Sequence, residues 1–394
     1  MKKLVLSFIS FTILSHFTLG QGRLSYYTPT HYHGIFSQEI TSARASGMGH
    51  TYLTLDGIDN ALYNPASIGL TKAKISTHLN YARGGQVRTN SHFPFLGITY
   101  RINDKLNLGF SAFRWIDNNT IWTTDIGGSN IPVEKREQTM LSATGAYELI
   151  DDLYLGASAV YLYEEGVPGH ITSKDFIVNI GALYEKEVDW IKEDKLKDQK
   201  FRAAASLINA GMDNQTEQTY EDLLNYRSMI IFLSAGASYH FSIPLANNLV
   251  EGKAFFDQTS RQVDLGIHLQ YRDEIPGKDP YNEQGYNSAL GAGAEAWFFN
   301  TIAIRMGYYF EKRPKDIRSE GGAWVSTDRK GFTWGYGARL PLHQWTEGQV
   351  PFNAEVNLVT GSIINELRKD FSHRSPIGEN NFLFAMGVNL QWVK

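Results

Sequence analysis

The residues best suited to chemistry lie far apart in this chain of 394 residues. His31, His33 and His50 bring three imidazoles to the N-terminal region, and the His-x-His spacing of the first two puts both on one side of an extended strand, where a transition metal could be ligated. No third ligand stands at a spacing that completes such a set, so no metal site is expected. Arg44, in a stretch of small residues, is a candidate partner for a buried carboxylate such as Asp264 or Glu295, or for an anionic head group. Asp264 and His268 fall on one face of an alternating run and could line a polar channel. The sequence has no Gly-x-Ser-x-Gly elbow, no His-Glu-x-x-His and no phosphate-cradling glycine loop. No catalytic residue and no cofactor is assigned, and the chain is read as not an enzyme.

These groups need a scaffold, and the scaffold is written in a period of two. In "VDLGIHLQY", Val263, Leu265, Ile267, Leu269 and Tyr271 face one way while Asp264, Gly266, His268 and Gln270 face the other. The same alternation marks "LNLGFSAF" from Leu106, "LYLGASAVY" from Leu153, "IAIRMGYYF" from Ile302 and "FLFAMGVNLQW" from Phe382. A glycine recurs on the polar face, at Gly109, Gly156, Gly266, Gly307 and Gly387. Further strands are expected over Ile75–Tyr81, Phe95–Ile102, Gln138–Leu149, Phe176–Glu185, Phe201–Ile208, Met229–Phe241, Leu249–Phe256, Ser288–Phe299, Phe332–Leu340 and Phe352–Val359.

That gives about fifteen segments by the alternation rule, and single-chain bacterial barrels use even numbers. Assigning the connections to two sides, short Asn/Asp turns such as Asn103-Asp104 and Asp151-Asp152 against longer polar links from Glu164 and Glu311, puts the halves out of phase around Leu249 to Tyr271. About fourteen strands is the resulting expectation. The charged run from Lys186 to Lys200 reads as a solvated loop. Aromatic residues near strand ends, Trp115, Tyr161, Tyr163, Tyr271, Trp297, Phe298, Phe299, Tyr308, Tyr309, Phe310 and Trp392, suggest girdles at two membrane interfaces. A secreted β-sandwich is the rival, but its strands average about 5 to 6 residues, shorter than several runs here.

Composition agrees with an exported all-β protein. Tyr, Phe and Trp number 21, 22 and 8, with 36 Gly and 12 Pro. The net charge of −4 is small, and Lys and Arg are interspersed with Asp and Glu, which argues against nucleic acid as a partner. Residues 1–20 have a basic start, an apolar stretch from Leu4 to Leu14 and small residues before Gln21, the pattern of a signal peptide cleaved before Gln21. There is no Cys, so neither disulfides nor thiolate metal sites are available. No second apolar run approaches the roughly 20 residues of a membrane helix, which leaves strands as the means of crossing a bilayer.

Between the leader and the first strand lies "SARASGMGHTYLTLDGIDNALYNPASIGL", Ser42 to Leu70. A barrel of this size has a lumen too wide for its own side chains to fill, so it is a water-filled channel or is plugged. A compact segment of small residues suits a plug. In it Asn64-Pro65-Ala66 reads as a capped turn of helix, with Asn64 capping, Pro65 first and an end at Gly69. Gly47 and Gly49 would let the segment bend or fit closely.

Ala43, Arg44, Ala45, Gly47, Met48 and Gly49, followed by Asn64, Pro65 and Ala66, resemble the N-terminal region of FadL-like outer-membrane barrels, especially the PorV/PorQ branch. The resemblance implies a transmembrane antiparallel barrel of about fourteen strands: signal peptide 1–20, hatch 21–72 inside the lumen and barrel 73–394. Arg44, Gly47, Gly49, Asn64, Pro65 and Ala66 become hatch candidates, and Asp264, His268, Glu295 and Arg305 lumen-wall candidates. The implied role is accessory to type IX protein secretion or surface attachment, with translocon or secreted proteins as partners. The alternative is a FadL-like channel for hydrophobic small molecules, and a second alternative is a structural envelope barrel. In each case the protein sits in outer-membrane lipid. Asp264, His268, Gln270, Asn389 and Gln391 on the inner face argue against a continuously apolar lumen.

Overall fold

The computed structural model describes residues 41–84, 91–117, 121–124, 130–133, 136–165, 171–191, 196–211, 216–218, 231–245, 262–275, 288–312, 318–319, 322–323, 328–366 and 379–393. Fourteen long strands form the wall: β1 (Ile75–Gly84), β2 (Ser91–Arg101), β3 (Leu106–Asp117), β4 (Arg136–Ile150), β5 (Leu153–Glu165), β6 (Ile171–Glu187), β7 (Lys197–Gly211), β8 (Phe232–Pro244), β9 (Gln262–Glu274), β10 (Ser288–Phe298), β11 (Ile302–Lys312), β12 (Asp328–Leu340), β13 (Phe352–Glu366) and β14 (Glu379–Trp392). Each pairs antiparallel with its neighbour in sequence, and β14 returns to β1 in the register Ile75↔Trp392 to Arg83↔Phe384. The sheet closes on itself and has no free long edge.

The period of two decides which way side chains point. Leu265, Ile267, Leu269 and Tyr271 face out from β9, while Gly266, His268 and Gln270 are buried inside. Outward phenylalanines are left bare: Phe110 is 61% exposed, Phe176 70% and Phe332 62%. With Leu96, Ile98, Tyr100, Ile304, Met306, Trp334 and Tyr336 they belong to an apolar outer surface that encircles the wall. No water-soluble protein sustains such a surface, whereas lipid chains cover it at no cost. That outer surface makes the wall the part that crosses the bilayer; among the described residues no helix is long and apolar enough to cross a membrane.

Tight links gather at one end of the barrel: 102–105, 151–152 and 299–301. Asn103 Oδ1 accepts from the backbone N–H of Lys105 and Leu106, both at 2.9 Å, which fixes the first of them. Phe299 and Asn300 turn the chain with φ of 54° and 51°. A one-turn helix, Leu342–Trp345, lies in the link from β12 to β13 at the same end.

Fourteen of the fifteen expected segments coincide with wall strands, and Leu249–Phe256 lies outside the described residues. Two details differ from expectation. Trp115, Trp297 and Tyr309 are buried on the inner face rather than set in outer girdles, because each shares the parity of its strand's inward residues, Phe113 on β3, Glu295 on β10 and Arg305 on β11. The charged run from Lys186 is not all loop: β6 extends to Glu187 and β7 begins at Lys197, and between them Trp190 stacks on Tyr239 with ring centroids 5.3 Å apart.

Candidate functional site

Residues 41–71 lie inside the wall. They start with a one-turn helix, α1 (Ala43–Ser46), whose N-cap Ser42 accepts from Ala45 N at 3.3 Å. Two short 3-10 turns follow, Ile58–Asn60 and Pro65–Leu70. The second forms because Asn64 Oδ1 accepts from Ala66 N at 3.1 Å and Pro65 occupies the first position. It ends one residue beyond the expected Gly69, at Leu70.

The segment touches the whole circumference. Asp59 pairs with His78 on β1, and Ile58 packs over Gly97 on β2. Ile68 O accepts from Asn107 on β3, the Pro65 turn rests on β4, and Leu62 O accepts from Asn179 on β6. A Cβ on Gly156 of β5 would collide with the backbone of Pro65 and Ala66, and one on Gly307 of β11 with that of Met48 and Gly49. Thr54 O accepts from Arg202 on β7 at 3.0 Å, and Leu53 lies over Gly236 on β8. Gln270 Oε1 on β9 accepts from Tyr52 N and Leu53 N at 2.7 and 3.0 Å. Arg44 reaches Glu295 on β10, and Gly49 N donates to Thr333 Oγ1 on β12 at 2.9 Å. Gly47 faces Val359 on β13, and Ala43 lies beside Gly387 on β14.

The recurring inner-face glycines thus have a steric reason. Gly156 and Gly307 let the plug's backbone approach the wall more closely than any side chain would allow, Gly109 makes room for the Ile58 side chain, and Gly266 lies under His240 and His268 of the wall itself. Gly49 needs glycine twice over, since its φ is +68° and a Cβ would sit 2.6 Å from Ala292 O.

Charge joins plug to wall on one side. Arg44 donates to Glu295 through Nε at 3.0 Å and Nη2 at 2.6 Å, and through Nη1 to Asp56 at 2.9 Å. Glu295, 3% exposed, also accepts from Arg305 Nε at 2.5 Å, and Arg305 is fully buried. Glu355 continues the chain of charges, with Arg339 Nε at 3.0 Å and Arg305 Nη2 at 3.9 Å. Arg339 also lies over the Trp297 ring, 3.8 Å from its centroid, which explains that ring's inward place. Burial works against charge on Arg44, but Glu295 and Asp56 outweigh it and hold the guanidinium well above its usual value. Burial likewise raises the Asp56 carboxyl, and Arg44 together with Arg202 brings it below its ordinary range.

Of the residues singled out in the sequence, Arg44, Glu295 and Arg305 come together. Asp264 does not join them; it accepts from Ser242 Oγ and Gln262 Nε2, each at 2.7 Å, near the tight-turn end. His268 bonds Thr54 Oγ1 at 3.2 Å. His50 stacks against Tyr309, with centroids 4.8 Å apart; His31 and His33 lie outside the described residues. No cluster of three His, Asp or Glu set to hold a metal occurs among the described residues. Sequence reasoning missed Asp56, Arg202, Arg339 and Glu355. For Arg202, Arg339 and Glu355 the signal was a charged residue at an inward position, which the alternation of β7, β12 and β13 exposes; Asp56, in the plug, lies on no strand and had no such signal.

A second inner region is apolar. Phe95 on β2, Phe113 on β3, Met140 on β4 and Leu162 on β5 are cross-strand neighbours in one buried row. Phe93 and Trp115 extend it toward the long-loop end, and Val160 and Ile177, paired across β5 and β6, extend it toward the tight-turn end. These side chains form one continuous apolar cluster with Ile58, Leu62 and Ile68 of the plug.

No family model and no curated protein matches the sequence. Solved structures do match. A Pseudomonas aeruginosa FadL homologue is similar with a TM-score of 0.50 at 12% identity, over 89% of this chain and 98% of that one. The deltaS2S3 mutant of TodX, a monoaromatic hydrocarbon channel from Pseudomonas putida, has a TM-score of 0.50 at 11% identity, over 90% and 99%. The toluene transporter TbuX of Ralstonia pickettii has 0.49 at 13%, over 91% and 100%. At these identities the likeness is one of fold: a closed transmembrane barrel of the FadL-like kind.

Proposed function

We propose that the protein is an outer-membrane barrel that passes hydrophobic small molecules, exported with removal of residues 1–20 before Gln21 and plugged by the segment that ends near residue 72. The observation that carries this reading is the apolar row of β2 to β5, built of Phe95, Phe113, Met140 and Leu162 and continuous with the plug. An apolar inner face at the long-loop end offers a guest a place out of water, and a few polar groups below it would set its depth. The fold likeness to hydrocarbon channels points the same way. Arg44, Gly47, Gly49, Asn64, Pro65 and Ala66 act in this reading as the plug's fastenings, and Glu295 and Arg305 as their wall partners; His268 lines the wall against Thr54, and Asp264 lines it nearer the tight-turn end.

A second reading, an accessory of type IX secretion or surface attachment, is favoured by one observation. The residues that resemble the PorV/PorQ pattern are the ones that fasten the plug, and a plug held around its whole circumference suits a barrel whose partners are proteins. The two readings part in a deletion strain. Slower uptake of toluene and of longer apolar compounds, with surface proteins intact, supports the channel, and Phe113→Ser should reproduce most of that loss. Missing surface or extracellular proteins with normal uptake overturns the channel in favour of secretion.

A further inference from the structure

On the inner face of β8 and β9, His240 stands opposite Gly266 and Ser238 opposite His268. The two imidazoles meet nearly at right angles, 82°, with centroids 5.0 Å apart. His268 is 1% exposed, and its Nε2 has no hydrogen-bond partner among the described residues. A buried ring nitrogen without a partner is costly unless something else fills its lone pair.

The geometry says where that something would sit. His268 Nδ1 lies 3.2 Å from Thr54 Oγ1, and His240 Nε2 lies 3.0 Å from Ser238 Oγ. When each of these nitrogens donates to its hydroxyl, the lone pairs left over are on His268 Nε2 and His240 Nδ1. Both point at the space over Gly266: a Cβ there would be 3.0 Å from each of the two nitrogens. An acceptor behind each ring fixes its tautomer and orientation, as it does for metal-binding imidazoles, and the glycine leaves room at the meeting point. Glu295, directly across from Gly266 in the β9–β10 register, is already paired with Arg44 and Arg305, and Asp264 accepts from Ser242 and Gln262, so the imidazoles are the donors left on this face. Arg202, the nearest strand neighbour carrying a fixed positive charge, is neutralised by Glu185 at 2.6 Å.

We propose that His240 and His268 form a two-imidazole site for a first-row transition metal of the Cu2+ and Zn2+ class. Two protein ligands leave the remaining coordination positions to water or to an external ligand. The nitrogen donors suit these ions, and the Irving–Williams order makes Cu2+ the tightest probe. The site does not depend on whether the barrel serves uptake or secretion.

The test uses the untagged full chain folded in detergent, its barrel verified by heat-modifiable gel mobility, titrated with Cu2+ alone. The electron paramagnetic resonance spectrum at one equivalent should show coupling to two imidazole nitrogens. His268→Gln and His240→Gln, which keep a polar group facing each hydroxyl, should each weaken binding tenfold or more. Gly266→Ala, which fills the meeting point, should do the same. A spectrum without two coupled nitrogens overturns the site, as do variants that bind Cu2+ like the parent chain. If a histidine variant gives no folded barrel, Gly266→Ala and the parent spectrum decide on the same criteria.

Discussion

The inner faces of β2–β6 and of β10–β13 hold the same plug by different means. Both use glycine to bring the plug close: Gly97 and Gly109 under the Ile58 side chain and Gly156 under the backbone of the Pro65 turn, Gly293 and Gly307 under the backbone of Met48 and Gly49. Only the second face adds buried charge, in the chain Arg44, Glu295, Arg305, Glu355, Arg339. Where both sides fit sterically, the ion pairs contribute specificity of position more than bulk stability, since burying charge costs nearly what pairing returns. Breaking them is another matter, because it strands the remaining partner.

That asymmetry sets the scale of what should happen on substitution. Glu295→Gln leaves Arg44 and Arg305 facing a neutral group in a buried site and should cost about 3–5 kcal/mol in urea unfolding of the barrel. The double variant with Arg44→Gln should lose clearly less than the sum of the two single losses; strict additivity would mean that the pair does not act as a unit. On the apolar side, Gly156→Leu drives a side chain into Pro65 and Ala66, and overpacking of that kind costs about 1–3 kcal/mol. Faster protease cleavage within residues 41–71 should accompany it, and an unchanged digestion pattern would show that the glycine contact does not hold the plug. Asn64→Ala removes one cap and should cost about 1 kcal/mol; a larger loss would move the main fastening to the Asn64 amide and its bond to Leu53 O, 2.8 Å long. The smallest effect is one of pH. Asp56 is held below its ordinary carboxyl value by Arg44 and Arg202, so the unfolded chain binds the proton more readily. Its contribution is complete above the unfolded value of about 3.9 and fades as pH falls through the lower folded value. Asp56→Asn should flatten that part of the stability profile in acid, and a profile unchanged by the substitution would remove Asp56 from the network.

The strands were legible because their pattern is local: two faces, two solvents, one alternation. So was the capped turn at Asn64, whose chemistry spans three residues. The partner of Arg44 was legible only as a choice between Asp264 and Glu295, since the pair spans 251 positions and depends on how β9 and β10 are staggered around the wall. Asp264 lies near the tight-turn end with Ser242 and Gln262, while Glu295 faces Arg305 directly across β10 and β11. The misplacement of Trp115, Trp297 and Tyr309 came from reading closeness to a strand end instead of parity; the period of two already assigned all three to the inside.

The closing ladder between β1 and β14 carries one more consequence. Asp59 of the plug binds His78 on β1, and Ala43 of the same segment lies against Gly387 on β14. The segment therefore straddles the seam at which first and last strands meet. It also precedes β1 in the chain, so it is on hand before the ring shuts. The wall is thus wrapped around its own contents, with the plug as mandrel and inner clasp of the joint.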